Sequence, residues 1–103
     1  MDLIEAIRTK NLVYIQKLLM KGVCPNEVED HHRISPLHYA VSMNCPEAVL
    51  ILVTAGANLM AKTIDGDTPL DLAKTLKHDI CLDLLERMLT YAIFSYPAKM
   101  QKS

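Results

Sequence analysis

The chain has 103 residues, of which 50% are hydrophobic and 22% charged, and its formal net charge is −1. That length bounds it to one domain, and that balance supports a buried core rather than disorder. Lys and Arg are not clustered in a stripe, and no apolar run approaches the roughly 18 residues of a membrane span, so neither nucleic-acid binding nor membrane insertion is expected.

Leu3 to Lys10 reads as a first helix with Leu3, Ala6 and Ile7 on one face, and Asp2 and Glu5 interrupt any signal-peptide reading of this start. A second helix, Leu12 to Met20, presents Leu12, Ile15, Leu18 and Leu19, and Gly22 stops it in a left-handed cap. A loop, Glu27 to Ile34, leads to Ser35-Pro36-Leu37-His38-Tyr39-Ala40. Here the Ser35 hydroxyl caps a helix from Pro36 to about Met43, and Pro36 takes the first helical position, where its missing N–H costs nothing. The next helix, Pro46 to Thr54, draws core from Val49, Ile51, Leu52 and Val53, leaves Leu50 exposed, and is ended by Gly56. A second hairpin, Lys62 to Asp67, turns around Gly66 and delivers Thr68-Pro69-Leu70-Asp71-Leu72-Ala73, the same cap and proline again. Helices then run from Pro69 to about Leu76 and from Asp79 to about Arg87. Leu89, Ala92, Ile93 and Tyr96 prolong an apolar stripe until Pro97, which is expected to end it.

Pro36 and Pro69 stand 33 positions apart, and Leu37/Leu70 and Ala40/Ala73 keep that offset. A fixed period of this size is the signature of stacked repeats. SPLHYA and TPLDLA, with Ala55-Gly56-Ala57-Asn58, resemble the ankyrin repeat, whose pattern reads roughly G-x-TPLHxA…VxxLLxxGAxxN. The resemblance covers Asp2 to about Arg87. It implies an all-α fold, an ankyrin-repeat solenoid of three stacked helix-turn-helix repeats joined by hairpin loops, with a C-terminal helical extension. The domain limits are 1–87, with repeats at about 1–29, 30–62 and 63–87, and 88–103 for the extension and tail. In this register Glu5 falls where Tyr39 and Leu72 pack on a preceding repeat, and Asp71 and Glu86 replace a histidine and a leucine. All three read as the polar ends of a stack. The first loop is one residue longer than the second, since Asn26 to Pro36 is 10 positions and Met60 to Pro69 is 9. Its glycine position falls to His32 or Arg33.

Three cysteines, Cys24, Cys45 and Cys81, share no short spacing, which fits reduced thiols and a cytoplasmic or nuclear location. The nearest approach to a metal cluster is Cys24 with His31 and His32, and it reads as solvated surface, so no metal and no cofactor are expected. Nor is catalysis: there is no phosphate loop and no nucleophile beside a base, and the resemblance makes His38 structural. What the resemblance implies instead is a protein partner, with no small-molecule substrate and a monomeric chain. The concave surface of such a stack corresponds here to Val28, His31, His32, Ile34, Ser42 and Met43, then to Lys62, Ile64, Asp65, Asp67, Thr75 and Leu76. Ile34, Met43, Ile64 and Leu76 are expected to form an apolar patch within a polar rim. Gly66 to Leu89 is also similar to the last ankyrin repeat of multidomain Arf GTPase-activating proteins, and Asp2 to Lys10 to the first helix of such a region. Packing on their catalytic domain is the alternative role.

Overall fold

The computed structural model describes the backbone of residues 2–28 and 31–101 and the side chains of residues 2–28 and 31–91. Within them lie α1 (Leu3–Arg8), α2 (Leu12–Met20), α3 (Pro36–Ser42), α4 (Pro46–Thr54), α5 (Pro69–Leu76) and α6 (Asp79–Gln101), with no strand among the described residues. Each odd helix packs on the even helix that follows it. The odd helices stack as one row, α1 on α3 on α5, and the even helices as a second, α2 on α4 on α6.

The sequence period sets that stacking. Ala6, Ala40 and Ala73 occupy one position of the odd row and are fully buried, so that neighbouring helices approach without a side chain between them. Ile7, Ile15, Leu37, Val41, Val49, Leu52, Cys81 and Leu85 fill the space between the rows, each at 1% exposure or less. Ile4, outside the expected apolar face of α1, is buried too, while Ile51 and Val53 are only half-buried against the core. Arg8 lies over the Tyr39 ring at 5.2 Å, so Tyr39 packs on the preceding repeat as its register requires. Glu5, Asp71 and Glu86 are exposed.

Helix ends follow one device. After α1, the N–H of Lys10 bonds to the Ile7 carbonyl and the N–H of Asn11 to that of Ala6. After α3, Asn44 and Cys45 bond to Val41 and Ala40 in the same way. After α5, Lys77 and His78 bond to Lys74 and Ala73. This double bond closes a helix through one left-handed residue. In α2 and α4 that residue is Gly22 or Gly56, but in the odd row it is Lys10, Asn44 or Lys77, at φ 56°, 52° and 59°. Hence α1 and α3 stop at Arg8 and Ser42, short of the expected Lys10 and Met43. A side chain in this conformation costs about 1–2 kcal/mol, of which glycine's greater unfolded-state freedom cancels part. Lys77→Gly is therefore expected to raise stability by about 0.5–1 kcal/mol, read as a higher urea midpoint at unchanged slope. A lower midpoint contradicts the assignment.

The last helix departs from expectation. It runs on past Arg87, as the apolar stripe implies, but does not end at Pro97 and continues to Gln101. Proline's fixed φ fits a helix, but its ring removes one N–H from the ladder and crowds the carbonyl four residues earlier, which is why a stop was expected there. Met88 packs against the core and Leu89 is half-buried, whereas Tyr91 is 75% exposed. The expected apolar positions Ala92, Ile93 and Tyr96 lie outside the described side chains. No helix among the described residues is long and apolar enough to cross a membrane.

Candidate functional site: the loops and the first-helix row

Two loops and the ends of α3 and α5 carry the expected site residues. In the second loop, Thr63 closes a tight turn: its N–H bonds to the Asp67 carbonyl, its hydroxyl accepts from the Asp67 N–H, and its carbonyl accepts from Gly66. The left-handed φ of Gly66 (87°) makes that turn possible. In the first loop the corresponding conformation belongs to Arg33, at φ 60°, which settles which residue stands in glycine's place. The additional residue of the longer loop therefore lies upstream of Arg33. The Ile64 N–H bonds to the His32 carbonyl at 2.9 Å and holds the two tips side by side.

His38 anchors this arrangement from below. The Asp67 carbonyl can only accept, so His38 Nε2–H donates to it at 2.8 Å. That leaves Nδ1 as acceptor, 2.7 Å from the Ser35 hydroxyl and 3.3 Å from the Ser35 N–H. One imidazole thus completes the cap of α3 and ties it to the next loop. The Ser35–His38 contact has the atoms of a nucleophile and base. However, both residues are buried, and the far nitrogen is taken by a backbone carbonyl, so the pair has no path to a substrate. Burial holds the His38 imidazole below its ordinary range, against the opposing pull of the Asp67 carbonyl and its carboxylate charge. In the last repeat Asp71 takes over the cap, accepting from the Thr68 N–H and receiving no bridge to a further loop. The Thr68 hydrogen bonds hold its carboxyl below the ordinary range, with help from Lys74 and Lys62.

The surface positions divide. His31 and His32 are exposed, with ring centroids 4.2 Å apart. Ser42, Lys62, Asp65, Asp67 and Thr75 are exposed, while Ile64 is 60% and Leu76 40% open to solvent. Val28 is 45% exposed at the foot of the first loop. Ile34 and Met43 are half-buried, and Met43 packs against the core, so the expected four-residue apolar patch is reduced to Ile64 and Leu76 as open members. Among the described residues, no three His, Cys, Asp or Glu side chains gather to hold a metal.

Two inter-repeat links escaped the sequence reading. Asn26 Oδ1 accepts from the Asn58 N–H at 2.7 Å and its Nδ2 donates to the Gly56 carbonyl at 3.1 Å, clamping the first loop to the turn after α4. His78 Nδ1–H donates to the Val41 carbonyl at 2.8 Å, joining the last repeat to the end of α3. Both partners are 30 or more positions away, so local pattern carries no trace of them.

Helix pairs in two stacked rows, tied loop to loop by a buried histidine, define a repeat solenoid. Residues 26–73 match the family model for ankyrin repeats, and the chain is an ankyrin-repeat protein. It is 36% identical over 85 residues to the potassium channel SKOR of Arabidopsis thaliana, an alignment covering 82% of this chain and 10% of that protein. It is 37% identical over 73 residues to palmitoyltransferase ZDHHC17 of Danio rerio, covering 71% of this chain and 12% of that one. With the ARF GTPase-activating protein Git of Drosophila melanogaster it shares 29% over 94 residues, or 84% of this chain and 13% of that protein. The chain thus spans about a tenth of these relatives.

Proposed function

We propose that the chain is a non-catalytic interaction module that binds a partner protein through the surface formed by its loop tips and the exposed ends of α3 and α5. The observation that carries this reading is Ile64, 60% exposed on a loop tip that a hydrogen bond to the His32 carbonyl holds in place. A large apolar side chain kept in water on a fixed backbone suits an interface anchor. Leu76 adds a second such group, and His31, His32, Lys62, Asp65 and Asp67 supply polar groups around them. The three cysteines, all free, suit a reducing compartment such as the cytoplasm or nucleus. The role of an Arf GTPase-activating protein's ankyrin region has no preference over the general reading, because the same stretch is at least as similar to a channel and a palmitoyltransferase.

The test is Ile64→Asp combined with Leu76→Asp. Both sites are exposed, so the urea-derived stability is expected to stay within about 1 kcal/mol of the parent. Capture of partners from a lysate is expected to fail, since a few anchors carry most interface energy. A variant that unfolds makes these residues core. One that folds and still captures every partner removes this surface from consideration.

A further inference from the structure

We propose that Cys45 and Cys81 are a redox pair that closes into a disulfide and locks the third repeat onto the second, with a small-molecule disulfide such as oxidised glutathione as the oxidant. The inference stands apart from the reading of the loop face as a partner surface, since neither cysteine belongs to that face.

The two thiols share one place in the fold. Cys45 immediately precedes α4, Cys81 lies in the first turn of α6, and these two helices pack on each other. Both side chains belong to the same buried core, at 4% and 0% exposure. The Cys81 thiol donates to Asn44 Oδ1 at 3.7 Å, and the residue after Asn44 is Cys45. The backbone there is fixed, because the N–H groups of Asn44 and Cys45 bond to the Val41 and Ala40 carbonyls. The Cys45 thiol donates in turn to Glu47 Oε1 at 3.8 Å. Burial pushes the Cys81 thiol up, and the neighbouring Cys45 sulfur and Glu47 carboxylate push the same way. Packing asks for no sulfur at Cys81, since Ile15 and Ala48 hold the same position in the earlier repeats and are equally buried.

A buried thiol that keeps its proton is a poor nucleophile, so the pair stays reduced while the repeats are closed. Repeats open locally at less cost than the whole chain unfolds, and opening the third exposes both sulfurs. One cysteine thiolate then attacks the small disulfide, forming a mixed disulfide and releasing one thiolate of the reagent. The second cysteine thiolate attacks the protein sulfur of that mixed disulfide, forming the Cys45–Cys81 bond and releasing the other reagent thiolate. The protein loses two electrons and two protons, and one reagent disulfide becomes two thiols. In a reducing compartment such a bond is transient, and excess thiol reverses it.

The experiment uses the full chain carrying Cys24→Ser, which removes the exposed thiol. After incubation with oxidised glutathione, mass spectrometry is expected to show Cys45 joined to Cys81, the intact mass lower by two hydrogens and no glutathione attached. Subdenaturing urea is expected to speed the reaction, because opening gates it. The linked chain is expected to melt several degrees above the reduced one, and dithiothreitol to restore the lower value. Cys81→Ala, which copies Ala48 at the same repeat position, is expected to fold and to stop at a glutathione adduct on Cys45. Thiols that stay free even in urea, adducts that never resolve into the link, or a linked chain that melts below the reduced one would each overturn the proposal.

Discussion

Leu52→Ala is expected to lower stability by about 2–5 kcal/mol, the largest effect of any single truncation considered for this chain. Leu52 is fully buried in α4, the middle helix of the even row, with α2 on one side and α6 on the other. A cavity there touches every repeat, and small repeats relax poorly because each leans on its neighbours. Leu50, two positions earlier on the same helix, is 50% exposed, and Leu50→Ala is expected to change stability by less than about 0.5 kcal/mol. Urea melts of the pair check the register directly. Equal losses would mean that α4 is rotated from the orientation described.

The contrast between those leucines was legible in the sequence, and the reason is the period. Pro36 and Pro69 fix where α3 and α5 begin, because a proline after a hydroxyl cap has one favourable place in a helix. Gly22 and Gly56 fix where α2 and α4 end, because each takes up the left-handed φ itself. The ends of the odd helices were not legible. Lysine has no preference for that conformation, and at Lys10 and Lys77 the surrounding hydrogen bonds impose it. The course of α6 through Pro97 was misjudged for a related reason: local propensity argues for a stop, while the backbone continues.

At the candidate site, register located the loop tips and the exposed Ser42 and Thr75, since those follow from the repeat alone. It did not reveal that Met43 turns toward the core while Leu76, its counterpart one repeat later, stays 40% open. Exposure depends on what lies beyond each helix end. For Met43 that includes core packing, a tertiary fact absent from the local sequence.

His38→Ala is expected to cost about 2–4 kcal/mol, because it leaves the Asp67 carbonyl without its bond and strips the cap from Ser35. His38→Asn separates the two roles. Its amide oxygen can accept from the Ser35 N–H but cannot span to Asp67, so it should recover the cap and lose the bridge, costing about 1–2 kcal/mol. The parent chain also has a pH signature that both variants should lack. Desolvation lowers the folded pKa of His38 beneath its ordinary 6.5. Between those two values the unfolded chain binds a proton that the folded chain refuses, so this contribution is complete above pH 6.5 and is lost as pH falls toward the folded value. The cause is burial, which outweighs the opposing pull of the Asp67 carbonyl and charge on the imidazole. Asp71 acts in a separate window, its contribution present above about 3.8 and lost as pH falls through its lowered value. Urea melts from pH 8 to 5 should show the parent weakening below about pH 6.5 and His38→Asn nearly flat. A parallel decline in the variant would assign the slope to another group and leave His38 with the cap and the bridge alone.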